Sequence, residues 1–185
     1  SGYIAGPTLD ENFSSFVGMH EIPIRHGMTI GELAYMINEE GWLDSGNKVD
    51  LNIVKMQGWS RNLYYDDTGL DFISPSPNIP DIETAILYSG LCLIEGTNLS
   101  EGRGTNYPFK RIGAPWLNVD LLINEMESYN FDGIDINKIV FTPQRIKGKA
   151  EYPKYEDIEC KGIQISIKDR MKAKPLEFSI YLLNS

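Results

Sequence analysis

The hydrophobic period of this chain changes along its length, and this constrains its fold more than any other feature. Ile30, Leu33, Ala34 and Ile37 recur at helical spacing. Ile163, Ile165 and Ile167 instead alternate with Gln164, Ser166 and Lys168, as in a half-buried strand. Helices and strands therefore interleave. The expected class is α/β, or α+β, with a mixed β-sheet flanked by helices. The 185 residues suffice for one sizeable core.

Stop and start signals divide the chain further. Thr29-Ile30-Gly31-Glu32 is a capping-box pattern, which predicts a helix over about 29–40 closed by Gly41. Leu51 to Met56 reads as a strand, and residues 57–80 as a long loop ending in Ser74-Pro75-Ser76-Pro77-Asn78-Ile79-Pro80. Asp81 caps a helix through about Tyr88, broken by Gly90, and Leu91-Cys92-Leu93-Ile94 reads as a buried central strand. Asn118 caps a helix with Val119, Leu122, Ile123 and Met126 on one face. A strand follows at Lys138 to Thr142, then a turn-rich basic connection from Pro143 to Tyr155. Pro175 opens a last helix with Leu176, Ile180 and Leu183 as its apolar stripe.

Composition excludes several functions. Hydrophobic residues make up 42% and charged residues 23%, which is an ordinary globular balance rather than a disordered one. The 17 basic and 26 acidic residues give a net charge of −9, against nucleic-acid or anionic-membrane binding. No apolar run approaches the ~18–20 residues of a membrane span. Cys92 and Cys160 are too few for a disulfide scaffold and are expected to be free and buried. With His20 and His26 as the two histidines, a His/Cys zinc site is not expected. No cofactor is implied.

The densest polar constellation runs from Glu95 to Thr105, Glu95-Gly96-Thr97-Asn98-Leu99-Ser100-Glu101-Gly102-Arg103-Gly104-Thr105. Its glycines let backbone amides approach a ligand, and its position after the expected buried strand is where ligands bind in open α/β sheets. The competing reading is a tight loop whose Asn, Thr and Ser serve its own backbone. Glu95 and Glu101 form a candidate acid/base pair of the kind sugar hydrolysis uses, although either could pair structurally with Arg103. Arg25 and His26 precede the capped helix, where a carboxylate or sugar hydroxyl would find donors. Trp59, Tyr64, Tyr65 and Trp116 offer flat faces for sugar rings or for core packing. Asn78 sits in a stiff Pro-flanked turn that could aim its amide at a ligand.

Several of these strings occur together and in order. They are Ser15-Phe16-Val17-Gly18, the run from Ile22 to Ala34, Ser76 to Pro80, Glu95 to Thr105, Pro108-Phe109, and Ile112-Gly113-Ala114-Pro115-Trp116. Over residues 2–117 the chain resembles the bacterial exo-β-N-acetylmuramidase family (NamZ-type, YbbC-like, long catalogued as a domain of unknown function). The likeness is weaker from there to residue 185.

The resemblance implies a two-domain glycoside hydrolase that releases terminal N-acetylmuramic acid from non-reducing ends of peptidoglycan fragments in cell-wall turnover. This chain then corresponds to the second domain, with residues 1–28 as a linker segment and 29–185 as a C-terminal α/β domain shortened at its end. The family's Rossmann-like N-terminal domain would be a partner from the same parent protein. Carried over residue by residue, the family's polar motifs fall on Arg25, His26, Asn78, Glu95, Asn98, Glu101, Arg103 and Thr105. Trp116 joins them as a sugar-facing aromatic. Glu95 or Glu101 is expected to do the acid/base work, and Arg103 or Arg25 to pair with the lactyl carboxylate of muramic acid. The implied substrate is a peptidoglycan-derived sugar and the implied location periplasmic or secreted. Two other classes stay open: a non-catalytic carbohydrate-recognition domain and a structural partner domain.

Overall fold

The structure is a computed structural model that describes residues 2–185. The chain forms two compact units, one ending at Leu70 and the other spanning Asp71–Ser185.

In the first unit, β1 (Ala5–Thr8) pairs antiparallel with β2 (Pro23–Arg25), through a register irregularity between Ala5 and Thr8. Helix α1 (Ile30–Glu39) follows. The expected capping box is present: Glu32 N donates to Thr29 Oγ1 at 3.2 Å, and Thr29 N donates to Glu32 Oε2 at 2.8 Å. Arg61 reinforces it, donating to Gly27 O at 2.7 Å and to both Glu32 carboxylate oxygens. Residues 51–56 form no strand, contrary to the sequence pattern. Asn38 of α1 instead takes up the Val49 backbone through two hydrogen bonds, at 3.1 and 2.8 Å, and Ile53 packs against Gly31. The long 57–80 segment holds a single short 3₁₀ turn, Tyr65–Thr68.

The second unit carries the core. Its sheet has the order β3-β5-β4, from Arg111–Ala114, Cys160–Ile167 and Ile134–Phe141. All pairings are antiparallel, so the α+β form of the expected class is realised. Helix α2 (Ile82–Leu91) packs on α4 (Pro175–Asn184), and α3 (Val119–Ser128) packs on β4 and β5. Leu87, Leu91, Ile94, Phe109, Ile112, Met126, Ile163, Ile165 and Phe178 form the fully buried centre.

Three features of the second unit differ from the sequence pattern. Gly90 does not break α2, which continues to Leu91. A Cβ at Gly90 would lie 2.2 Å from the Pro175 carbonyl, so glycine lets α4 approach the helix closely. Residues 92–94 are not a strand but open a 3₁₀ turn, Cys92–Gly96. Leu91 and Ile94 are buried while the two residues between them are half-buried, the three-residue spacing of a helical turn. On α4 the buried face is Leu176, Phe178, Ser179 and Leu182, whereas Ile180 and Leu183 are exposed.

Candidate active site

Because a 3₁₀ turn precedes it, the Glu95–Thr105 loop does not lie beyond the end of a strand as the sequence suggested. It is held instead against the edge of the sheet. Ser100 exchanges both backbone hydrogen bonds with Gly113 of β3, at 2.8 and 3.1 Å, and Phe109 N donates to Glu101 O at 2.7 Å. Gly102 and Gly104 have φ of +79° and +80°. A Cβ at either would come within 2.7 Å of a backbone carbonyl, of Arg111 or Gln144. These two glycines thus serve close chain packing, and the Gly102 amide is already bound to Ser100 Oγ at 3.2 Å. The hydroxyls likewise turn inward. Thr97 Oγ1 donates to Ile94 O at 2.8 Å, and Thr105 Oγ1 to Gly102 O at 2.7 Å.

The charged side chains remain, and the fold brings them together. Arg103 contacts both glutamates: Nη2 lies 2.5 Å from Glu95 Oε1, and Nη1 lies 3.3 Å from Glu101 Oε1. Lys154 Nζ lies 3.2 Å from Glu101 Oε2. Two carboxylates are thus balanced by two cations. The carboxylates differ in access, with the Glu95 side chain 33% exposed and that of Glu101 4%. The Arg103 guanidinium stacks over Phe109 at 5.0 Å, and Phe109 meets Tyr88 edge-on at 4.8 Å. Burial, and secondarily the Glu95 charge, raises the pKa of both Tyr88 and Cys92 above the usual value, so both stay protonated near neutrality.

Asn98 and Trp116 join this cluster through a residue the sequence did not single out. Trp116 Nε1 donates to Tyr155 Oη at 3.1 Å, and the Tyr155 hydroxyl donates to Asn98 O at 2.6 Å. The exposed indole is thereby fixed beside the loop. Asn78 donates from Nδ2 to Lys149 O at 2.7 Å. Four buried side-chain polar atoms among the described residues lack a hydrogen bond, and three are Asn78 Oδ1, Glu95 Oε1 and Glu101 Oε2. The two glutamate oxygens face their cations outside hydrogen-bonding angles, which leaves acceptor capacity in the loop. Lys154 and Tyr155 were legible only as part of a turn-rich basic connection, because nothing local ties them to an acidic loop some fifty residues earlier. Among the described residues, no group of three or more His, Cys, Asp and Glu is placed to hold a metal ion.

Arg25 and His26 lie in the first unit. They line a cleft of about 1050 Å³ with Met28, Tyr35, Trp59 and Arg61. His26 Nδ1 accepts from Met28 N at 3.1 Å, which in the neutral ring leaves Nε2–H as the donor. Arg25 stacks over Tyr3 at 5.0 Å, and Arg61 over Trp59 at 5.3 Å.

Comparison with known proteins places the chain in a family. The family described as exo-β-N-acetylmuramidase NamZ, C-terminal, matches residues 86–185, and its N-terminal counterpart matches residues 1–83. The chain belongs to the NamZ family. The peptidoglycan β-N-acetylmuramidase NamZ of Bacillus subtilis is 39% identical over 183 residues, which is 99% of this chain and 42% of that protein. Two crystal structures of DUF1343 family proteins from Bacteroides fragilis superpose with TM-scores of 0.87 and 0.73, at 30% and 33% identity. They cover 98% and 99% of this chain, and the chain covers 45% and 46% of theirs. The resemblance read from the motifs is therefore correct, and the chain spans less than half the length of these relatives. The change from the N-terminal to the C-terminal NamZ match, between residues 83 and 86, falls inside α2.

Proposed function

We propose that this chain carries part of the sugar-cleaving site of an exo-β-N-acetylmuramidase. That enzyme would remove N-acetylmuramic acid from the non-reducing ends of peptidoglycan fragments, in the periplasm or outside the cell, during cell-wall recycling. The observation that carries this reading is the single Arg103 guanidinium placed between Glu95 and Glu101. Glycoside hydrolysis commonly uses carboxyl groups, and different environments assign neighbouring carboxyl groups different roles. Glu95 is the carboxylate that reaches solvent and is the group that takes part in the acid/base work. Glu101 is sunk between two cations and holds Arg103 in place. The local balance of charge also suits the ligand. A domain of net charge −9 would repel the lactyl carboxylate, but the Glu95, Glu101, Arg103 and Lys154 set is formally neutral.

The fixed, exposed Trp116 favours a second reading, a non-catalytic carbohydrate-binding surface. Substituting Glu95→Gln and Glu101→Gln in the full-length protein separates the two. With a chromogenic N-acetylmuramic acid glycoside, Glu95→Gln should lower turnover by about 10²–10⁴-fold. Undiminished turnover in Glu95→Gln would overturn the catalytic reading. Sugar binding in calorimetry, with no turnover in the unsubstituted protein, would establish the binding one.

A further inference from the structure

Lys154 ties the candidate loop to the 3₁₀ turn that leads into it. Its Nζ donates to Glu95 O at 3.0 Å, Leu99 O at 3.0 Å and Ile94 O at 3.3 Å. An ammonium has three protons, so these carbonyls use all of its donors. Its charge then faces Glu101 Oε2 at 3.2 Å without a further hydrogen bond. The hydroxyl of the neighbouring Tyr155 holds the same loop by donating to Asn98 O, and fixes the Trp116 indole by accepting from its Nε1. Tyr155 does this from a left-handed backbone conformation, φ +59°, which a side chain as large as tyrosine adopts only when surrounding contacts impose it.

We propose that Lys154 and Tyr155 are the positioning residues of the carboxylate loop. They set where the Glu95 carboxylate stands relative to Glu101 and to the sugar face of Trp116. This rests on the reading of Glu95 as the reacting carboxylate. Neither residue needs to touch substrate. Lys154 fixes the Glu95 backbone from its carbonyl side and places a second positive charge against the buried Glu101 side chain. An arginine would not reproduce this, because its planar fork cannot address three convergent carbonyls as a tetrahedral ammonium does.

The test compares Lys154→Met, Lys154→Arg, Tyr155→Phe and Glu95→Gln in the full-length protein, on a chromogenic N-acetylmuramic acid glycoside. Lys154→Met should lower kcat by about 10²-fold with KM little changed, as misplacement of a reacting group does. Lys154→Arg should recover part of that loss, and Tyr155→Phe should lower kcat by less. Adding Lys154→Met to Glu95→Gln should cost nothing more, because Lys154 acts through Glu95. Lys138→Met, which removes an exposed lysine paired with Asp120, is the control and should leave kcat unchanged. If Lys154→Met does not fold, Tyr155→Phe decides alone. Loss of kcat in Glu95→Gln with kcat retained in Lys154→Met and Tyr155→Phe would overturn this inference and leave the catalytic reading standing. Additive losses would also overturn it. Full turnover in Glu95→Gln would overturn both.

Discussion

At the scale of single residues, Asp81 and Lys110 show how this fold handles a buried cation. Asp81 caps α2 through Thr84 N at 2.7 Å and accepts from Lys110 Nζ at 2.8 Å. Lys110 also donates to Glu83 Oε2 at 3.0 Å, and Glu83 Oε1 accepts from Ile167 N at 2.8 Å. Burial pushes the Asp81 carboxyl up, but Lys110 and the Thr84 amide outweigh it and hold it below the usual value. Burial likewise lowers Lys110, and its two carboxylate partners outweigh that and raise it. A carboxyl depressed in the folded state stabilises the fold above its unfolded pKa of about 3.9, and that contribution is lost as pH falls through the lower folded value. A raised lysine stabilises below about 10.4 and loses its contribution as pH rises through the folded value. Asp81→Ala should therefore cost about 1–2 kcal/mol at pH 7 in urea denaturation. Its stability should also fall less steeply than that of the parent protein below about pH 4. An unaltered acid limb would contradict the Lys110 pairing. Glu32 behaves similarly: Arg61 and the Thr29 amide hold its carboxyl to about 2, so the α1 cap should survive to low pH.

At the scale of elements, caps were legible and contacts were not. Thr29, Asp81 and Asn118 each cap the helix that the sequence assigned to them, because a cap is a local bargain between one side chain and the next turn. The role of Gly90 is not legible locally, because its reason lies in α4, eighty-five residues later. Gly90→Ala is a sharp test. Helix propensity alone would favour alanine by about 1 kcal/mol. The contact with Pro175 predicts instead a loss of about 1–3 kcal/mol, measured as a lower urea midpoint. The apolar run at 91–94 was ambiguous for a similar reason, since a short buried run fits a strand or a helical turn equally well. On α4, Leu182→Ala should cost about 2–4 kcal/mol, and Ile180→Ala or Leu183→Ala under about 1. The reverse order would restore the stripe that simple spacing suggested.

At the scale of the molecule, the hydrophobic interior belongs to one unit. Every buried hydrophobic residue lies between Leu87 and Leu182, whereas among the described residues through Leu70 the single fully buried one is Asn38. A fragment of residues 71–185 should therefore unfold cooperatively in urea, followed by circular dichroism, while residues 2–70 alone should show no cooperative transition. A cooperative transition in the shorter fragment would contradict this. The candidate site was legible in the same partial way. The residue types and the loop of Glu95, Glu101 and Arg103 were visible as a cluster, and the family was visible in its motifs. The carbonyl clamp of Lys154 and the tyrosine that fixes Trp116 come from a distant connection and needed the fold. The net charge of −9, which excluded partners from the sequence, gains a local counterpart in the neutral set around Arg103. Whether Glu95 does the chemistry is read in kcat of the full-length Glu95→Gln protein on a chromogenic N-acetylmuramic acid glycoside. A fall of about 10²-fold or more, with the fold intact by circular dichroism, is expected. A kcat equal to that of the unsubstituted protein would contradict it.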